Sequence, residues 1–224
     1  MTTAGICNPF MKRGKLPLVV SMLVAATLWF IMFSPWTAPR VNFWACMVVS
    51  AIVLTCFAIV FGGQKCLGLE GIGSGSSPVK TILTGISIAV ILWGIFYVGD
   101  KVSQLLFDFA RPQVDNIYNI KGTLSPTLLA LLLLFVIGPA EEIFWRGYVQ
   151  RTLSNFRSPF FAFIVTTMCY TFVHLPSGNF MLIMASLVCG IFWGGLYYLM
   201  PNRLTAIIIS HTLWDAAAFV WLPF

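Results

Sequence analysis

The amino-acid sequence predicts an all-α membrane protein, a polytopic transmembrane bundle of seven helices, with eight as the alternative count. Its 224 residues are 59% hydrophobic and only 9% charged, whereas a typical soluble domain is roughly 25% charged. Apolar runs that approach the ~20 residues needed to cross a bilayer core recur along the whole chain. Little length is left for a soluble domain, so we expect residues 1–224 to form a single integral membrane domain.

Seven apolar segments follow one another. They are Leu16 to Phe33, Val41 to Phe61, Thr81 to Gly99, Leu124 to Ile137 with an extension, Pro159 to Leu175, Phe180 to Met200, and Leu204 to Leu222. The first is longer than a signal-peptide core and no small-residue cleavage site follows it, so we expect a retained helix. The fourth is ambiguous: it either leaves the membrane at Glu141 or continues past Pro139 to about Leu153.

The net charge of +6 does not predict nucleic-acid binding, because the cations lie between apolar runs and form no basic face. With the N-terminus inside, nine of the thirteen Lys and Arg residues fall in inner loops. These are Lys12, Arg13, Lys15, Lys65, Lys80, Arg146, Arg151, Arg157 and Arg203; Arg40, Lys101, Arg111 and Lys121 fall outside. This bias predicts a multi-pass protein of the plasma (inner) membrane with a cytoplasmic N-terminus and the lipid bilayer as its surroundings. No oligomeric state follows from the sequence.

The connectors carry weaker signals. The loop from Gly62 to Lys80 is rich in Gly and Ser and is expected to be flexible. The stretch from Lys101 to Lys121 is expected to lie at the interface as an amphipathic segment broken at Pro112; a solvated connector is favoured over a lid or substrate gate. Gly190 and Gly194 are spaced for close helix packing. The six cysteines have no Cys-x-x-Cys spacing and are expected to be reduced.

The ionisable residues are few enough to be considered one by one. Of seven acidic residues, Glu70, Asp100, Asp108 and Asp115 are assigned to connectors. The other three, Glu141, Glu142 and Asp215, lie in or against apolar runs, as do both histidines, His174 and His211. Ionisable groups at membrane depth are costly, so they are usually paired and functional.

Helical spacing suggests how these groups pair. Glu142 and Arg146 stand at i and i+4, and so do His211 and Asp215. Glu141 points about 100° away from Glu142 around the helix, so it is free to act on something else. Counted at about 1.5 Å per residue from the nearest cations, Glu141 and His211 come out level, whereas His174 comes out about 10 Å further along the membrane normal.

Two interpretations of this set remain. Each pair could be a structural ion pair that fixes helix packing, but five such groups in an otherwise apolar chain favour a polar functional site. A proton- or ion-coupled carrier could use the same groups as a relay.

These residues resemble the CPBP family of intramembrane proteases, also called the Abi or type II CAAX prenyl endopeptidase family. The first motif of that family is Glu-Glu-x-x-x-Arg, present as Glu141-Glu142-Ile-Phe-Trp-Arg146. The second is an aromatic four residues before a His, here Tyr170 before His174, and the third is His-x-x-x-Asn/Asp, here His211 before Asp215. The resemblance covers about residues 128–218, the expected catalytic core.

The resemblance implies a glutamic-type intramembrane endopeptidase that acts on a membrane-anchored protein or peptide. Glu141 would be the general base that activates water, assisted by His174. His211 and Asp215 would polarise the peptide carbonyl and stabilise the oxyanion, while Glu142 and Arg146 brace the site. Some relatives are idle scaffold or immunity proteins, which keeps that alternative open.

Two positions depart from the family pattern. Tyr170 replaces the usual Phe and adds a hydroxyl, and Asp215 replaces Asn. Since an ionised Asp cannot donate a hydrogen bond, Asp215 would act protonated or by orienting His211. No cofactor is expected, but Glu141, His174 and His211 are an alternative zinc ligand set with an open position.

Overall fold

The computed structural model describes residues 15–68 and 77–224. Lys12, Arg13 and residues 69–76 of the predicted Gly- and Ser-rich loop, which include Glu70, lie outside the described residues. The described chain is all-α, and the sequence prediction of seven helices long and apolar enough to cross a membrane is confirmed. This is an integral, multi-pass membrane protein.

The elements follow the predicted order. They are α1 (Lys15–Phe33), α2 (Phe43–Gly62), α3 (Pro78–Leu106), the short α4 (Ala110–Asn119), α5 (Pro126–Phe156), α6 (Pro159–Ser177), α7 (Phe180–Leu199) and α8 (Pro201–Trp221). All except α4 are membrane-crossing candidates.

Polar residues in the connectors set where several helices begin. The side chains of Asn42, Ser125, Ser158 and Asn179 accept hydrogen bonds from backbone N–H groups in the first turns of α2, α5, α6 and α7. Each satisfies one of the donors that a helix start leaves unpaired. In α3, α5, α6 and α8 a proline stands in the first turn, where its missing N–H costs nothing.

Helix α5 resolves the ambiguity of the fourth segment, because it continues through Pro139 to Phe156. The chain keeps helical geometry by two wider π-helical stretches, Leu133–Ile137 and Ile143–Gln150. The α-helical turn between them, Gly138–Glu142, carries both glutamates. Insertions of this kind are common at functional sites, since they let a helix absorb a proline and rotate the side chains that follow.

The stretch from Lys101 to Lys121 differs from the expectation in two ways. Its first part continues α3 to Leu106, so Asp100 lies inside a helix and not in a connector. The predicted break at Pro112 is wrong: the chain breaks at residues 107–109, and Pro112 lies in the first turn of α4, where a proline is tolerated. Helix α4 contacts the start of α7, where the Gln113 side chain accepts a 3.0 Å hydrogen bond from the Met181 backbone N–H.

Glycines lie at several points where two helices pack closely together. A Cβ at Gly190 would stand 3.1 Å from Thr167 on α6, and one at Gly194 would stand 3.2 Å from Phe163. The predicted packing role of this pair is therefore confirmed. Gly85 permits α3 to run against α8 in the same way, since a Cβ there would stand 2.6 Å from Ile209. The five described cysteines are free thiols, as expected.

Candidate functional site

Glu142 is the centre of a buried charged cluster. Its Oε1 lies 2.8 Å from Arg146 Nη1, which confirms the pair predicted from the i and i+4 spacing. The same Oε1 lies 2.7 Å from Nδ1 of His211 on α8, a contact that the sequence did not suggest. Glu142 is fully buried and Arg146 is 1% exposed. Glu142 therefore does more than pair within its own helix, because it ties α5 to the histidine of α8.

His211 is held on three sides. Its Nε2 lies 3.4 Å from Asp215 Oδ2, so the predicted pair on α8 is present, although this contact is longer than the one to Glu142. The indole of Trp193 on α7 stacks on the imidazole, with ring centroids 3.8 Å apart and planes 17° apart. Trp193 is fixed in turn, because its Nε1–H donates to Ser210 Oγ at 3.1 Å. These three contacts therefore fix the orientation of the His211 ring.

Tyr170 bridges Glu141 and His174. Its hydroxyl donates to Glu141 Oε2 at 3.2 Å, and its backbone carbonyl lies 2.8 Å from His174 Nδ1. The hydroxyl that distinguishes this residue from phenylalanine therefore contacts the carboxylate predicted to be free. Since a carbonyl only accepts, Nδ1 of His174 carries the proton, and Nε2 is the acceptor nitrogen.

A residue from α1 contacts this acceptor. Trp29, which is 2% exposed, donates its indole N–H to His174 Nε2 at 3.3 Å. Both ring nitrogens of His174 therefore have partners in this structure. No sequence signal pointed to Trp29, because a tryptophan in an apolar helix is ordinary and the contact spans 145 positions of the chain.

The predicted site residues share one cavity of about 490 Å³. Glu141, Tyr170, His174, His211 and Asp215 all line it, while the rest of the wall is largely apolar. Arg146 lies behind this wall, with its Cζ 4.9 Å from the Tyr170 ring centroid. Residue counting along untilted helices placed His174 about 10 Å further along the membrane normal than Glu141. The structure connects Glu141 and His174 through Tyr170. Tyr170 lies one turn before His174, and its long side chain spans the distance to Glu141.

Asp100 is a further lining residue that the sequence analysis left in a connector. Extending the third predicted helix by one turn would have placed it at membrane depth. Helix α4 also contributes to the wall through Val114, Ile117 and Tyr118.

The alternative zinc set does not fit this arrangement. Within residues 15–68 and 77–224, no three His, Cys, Asp or Glu side chains are grouped so as to hold a metal ion. The donor atoms explain why, since His174 Nε2 accepts from Trp29 and both nitrogens of His211 face carboxylates.

Part of the chain matches a protein-family model. Residues 123–217 match the model described as type II CAAX prenyl endopeptidase Rce1-like. This region belongs to that family. The Rce1-like region agrees with the core expected at residues 128–218 and contains Glu141, His174, His211 and Asp215. The match supports a CAAX-type intramembrane protease.

The Rce1-like region covers less than half of the chain, so α1 to α4 lie outside it. No curated protein and no solved structure matches the chain. Trp29 and Asp100, which line or approach the cavity from outside the Rce1-like region, therefore gain their significance from the structure alone.

Proposed function

We propose that this chain is an intramembrane endopeptidase that hydrolyses a peptide bond of a membrane-anchored protein, with Glu141 as the general base. The observation that carries the proposal is the single apolar cavity that holds Glu141, His174, His211 and Asp215 together. An apolar wall accepts an apolar substrate segment, and the polar groups supply the acid, base and hydrogen-bond donor that peptide hydrolysis needs.

In the proposed reaction Glu141 takes a proton from a water molecule as the water oxygen attacks the substrate carbonyl carbon. His174 assists by accepting a hydrogen bond from that water at Nε2. In the resting arrangement this nitrogen is contacted by Trp29 at 3.3 Å, a long hydrogen bond. The indole N–H must therefore yield when the water takes its place.

His211 is suited to stabilise the oxyanion. Its Nδ1–H is held by the short contact to Glu142, whereas the longer Nε2 contact to Asp215 leaves that N–H available to a carbonyl oxygen that approaches it. Asp215 then acts as an orienting carboxylate, which removes the difficulty that an ionised Asp cannot donate. Collapse of the tetrahedral intermediate breaks the C–N bond, and the proton held by Glu141 passes to the leaving amine.

We infer that the reaction is metal-independent, because both nitrogens of His211 face carboxylates and no three His, Cys, Asp or Glu side chains of the described residues are grouped to hold a metal ion. Elemental analysis of the purified protein tests this. Less than about one tenth of an equivalent of bound metal, with cleavage that persists in chelator, supports it. A stoichiometric metal that is lost together with activity contradicts it.

The test of the function compares cells that express the unchanged chain or Glu141→Gln, a substitution that keeps size and removes the base. Membrane and released fractions are analysed for new protein termini. We expect fragments that depend on Glu141, and we expect His174→Ala to lose them as well. Asp108→Asn is the matched control, because Asp108 is exposed and lies outside the cavity wall. Identical fragments at equal protein levels would favour a carrier or a catalytically idle relative.

A further inference from the structure

We propose that Asp100 forms a substrate-recognition subsite that accepts a lysine or arginine side chain about three to four residues from the cleaved bond. This inference rests on the proposed peptidase function of the cavity. Asp100 lies on α3, outside the Rce1-like region. It has no role in the reaction described above.

The first observation is an incomplete hydrogen-bond set. Asp100 is 6% exposed, and its Oδ2 accepts from Gln104 Nε2 at 2.6 Å and from Lys101 Nζ at 3.3 Å. Its Oδ1 is buried and has no hydrogen-bond partner within the described chain. A buried carboxylate oxygen without a donor costs about 1–3 kcal/mol or more. Asp100 lines the cavity, so a ligand there can bring the missing donor when the carboxylate turns toward it.

The second observation is the position of Asp100 relative to the reacting groups. Phe96 on α3 packs against Trp214, with ring centroids 4.6 Å apart, and Trp214 directly precedes Asp215. Asp100 is one turn beyond Phe96 on the same helix, which places it about 6 Å further along the bundle. His211 lies one turn before Asp215, so it is about 6 Å from that level in the opposite direction. An extended peptide advances about 3.3 Å per residue, so Asp100 and His211 are about three to four residues apart.

The third observation is the sign of the charge in the cavity. Three carboxylates line it, those of Asp100, Glu141 and Asp215, whereas no Lys or Arg is among the described residues of its wall. His211 on the same wall faces Glu142 and Asp215, and Lys101 faces Oδ2 of Asp100, so neither of them supplies a donor to Oδ1 of Asp100. The aliphatic stem of Lys or Arg can lie along neighbouring apolar residues such as Phe96 and Phe107 while its head reaches Oδ1.

The test measures binding without cleavage. The full chain carrying Glu141→Gln is placed in lipid nanodiscs, and fluorescent transmembrane peptides of Leu and Ala are added. Each peptide carries either lysine or norleucine at one position, and these two residues share the aliphatic stem. The position is moved along the peptide from one member of the series to the next. At the register that reaches Asp100, we expect lysine to bind about 10-fold more tightly, the gain typical of a hydrogen bond to a charged group.

In Asp100→Asn the lysine preference should fall to less than about 2-fold, whereas Asp108→Asn should keep it. Equal binding of lysine and norleucine peptides at every register overturns the subsite, as does a preference that survives in Asp100→Asn. The peptide comparison on the unchanged Asp100 side chain needs no substitution there, so the inference stays testable if Asp100→Asn does not fold.

Cleavage by the chain with Glu141 intact separates this inference from the proposed function. Binding that depends on Asp100, without cleavage of any peptide, would overturn the peptidase and leave the subsite standing. Equal cleavage of the lysine and norleucine peptides would support the peptidase and overturn the subsite.

Discussion

Replacing Arg146 with methionine removes a buried cation while it keeps most of the aliphatic volume. Arg146 is 1% exposed, and its Nη1 lies 2.8 Å from Oε1 of the fully buried Glu142. Its Cζ also lies 4.9 Å from the ring centroid of Tyr170 and 5.8 Å from that of Trp193, so the guanidinium faces two aromatic rings. After the change Glu142 remains buried and has lost its main counter-charge.

Breaking a buried ion pair by removing one partner costs about 3–5 kcal/mol. His211 Nδ1 still lies 2.7 Å from the same carboxylate oxygen, so we expect the lower end, about 3 kcal/mol. Adding Glu142→Gln removes the orphaned charge, and uncharged groups of similar volume are often tolerated at such positions. The double variant should therefore recover at least about 1 kcal/mol relative to Arg146→Met alone.

The free energy of unfolding in bicelles, measured by steric trapping, is the assay for this cycle. Arg157→Met is the matched control, because Arg157 is exposed, and it should stay within about 0.5 kcal/mol of the unchanged chain. The reasoning is refuted if Arg146→Met costs less than about 1 kcal/mol, or if the two substitutions add without coupling.

Three further predictions concern packing and reactivity. Gly190→Ala should destabilise the bundle by about 1–3 kcal/mol, because its Cβ would press on Thr167 at 3.1 Å. Gly195→Ala, whose nearest contact would be 3.8 Å, should be neutral or stabilising. Equal unfolding midpoints for the two variants would contradict this. Trp193→Phe should cost about 1 kcal/mol by losing the bond to Ser210, and Trp193→Leu should cost more because the stack on His211 is lost as well; equal losses would argue against a role for the stack. Burial raises the pKa of the Cys66 thiol to about 11, although the charge of Arg151 acts in the opposite direction. The thiolate of Cys66 is therefore scarce at neutral pH, and its fraction grows only as the pH approaches that value. Maleimide labelling followed by peptide mapping should show slow labelling of Cys66 in the folded chain and fast labelling in denaturant, and rapid labelling in the folded chain would contradict this.

Most of the site could be predicted from local spacing. The pairs Glu142 with Arg146 and His211 with Asp215 are four residues apart on single helices, and helical geometry fixes such neighbours whatever the tertiary fold. The 31-residue length of α5 was less certain, since a proline usually ends or kinks a helix. The π-helical stretches that accommodate Pro139 have no distinct sequence signature.

Contacts between distant segments could not be predicted in the same way. The link from Glu142 to His211 spans 69 positions, and that from Trp29 to His174 spans 145. Asp100 was misplaced because the predicted helix ended at Gly99, whereas α3 continues to Leu106.

The sequence by itself determined the class of the protein, the seven apolar helices and the residues able to carry chemistry, because burial cost and helical periodicity are local properties of the chain. Only the tertiary structure decided which partners these residues have on other helices. It placed Tyr170 between Glu141 and His174, directed Trp29 to the acceptor nitrogen of His174, and left one oxygen of Asp100 without a donor at the cavity wall. The physical reason is that such contacts depend on how whole helices pack against one another, and packing is set by many small complementarities that no short stretch of sequence contains.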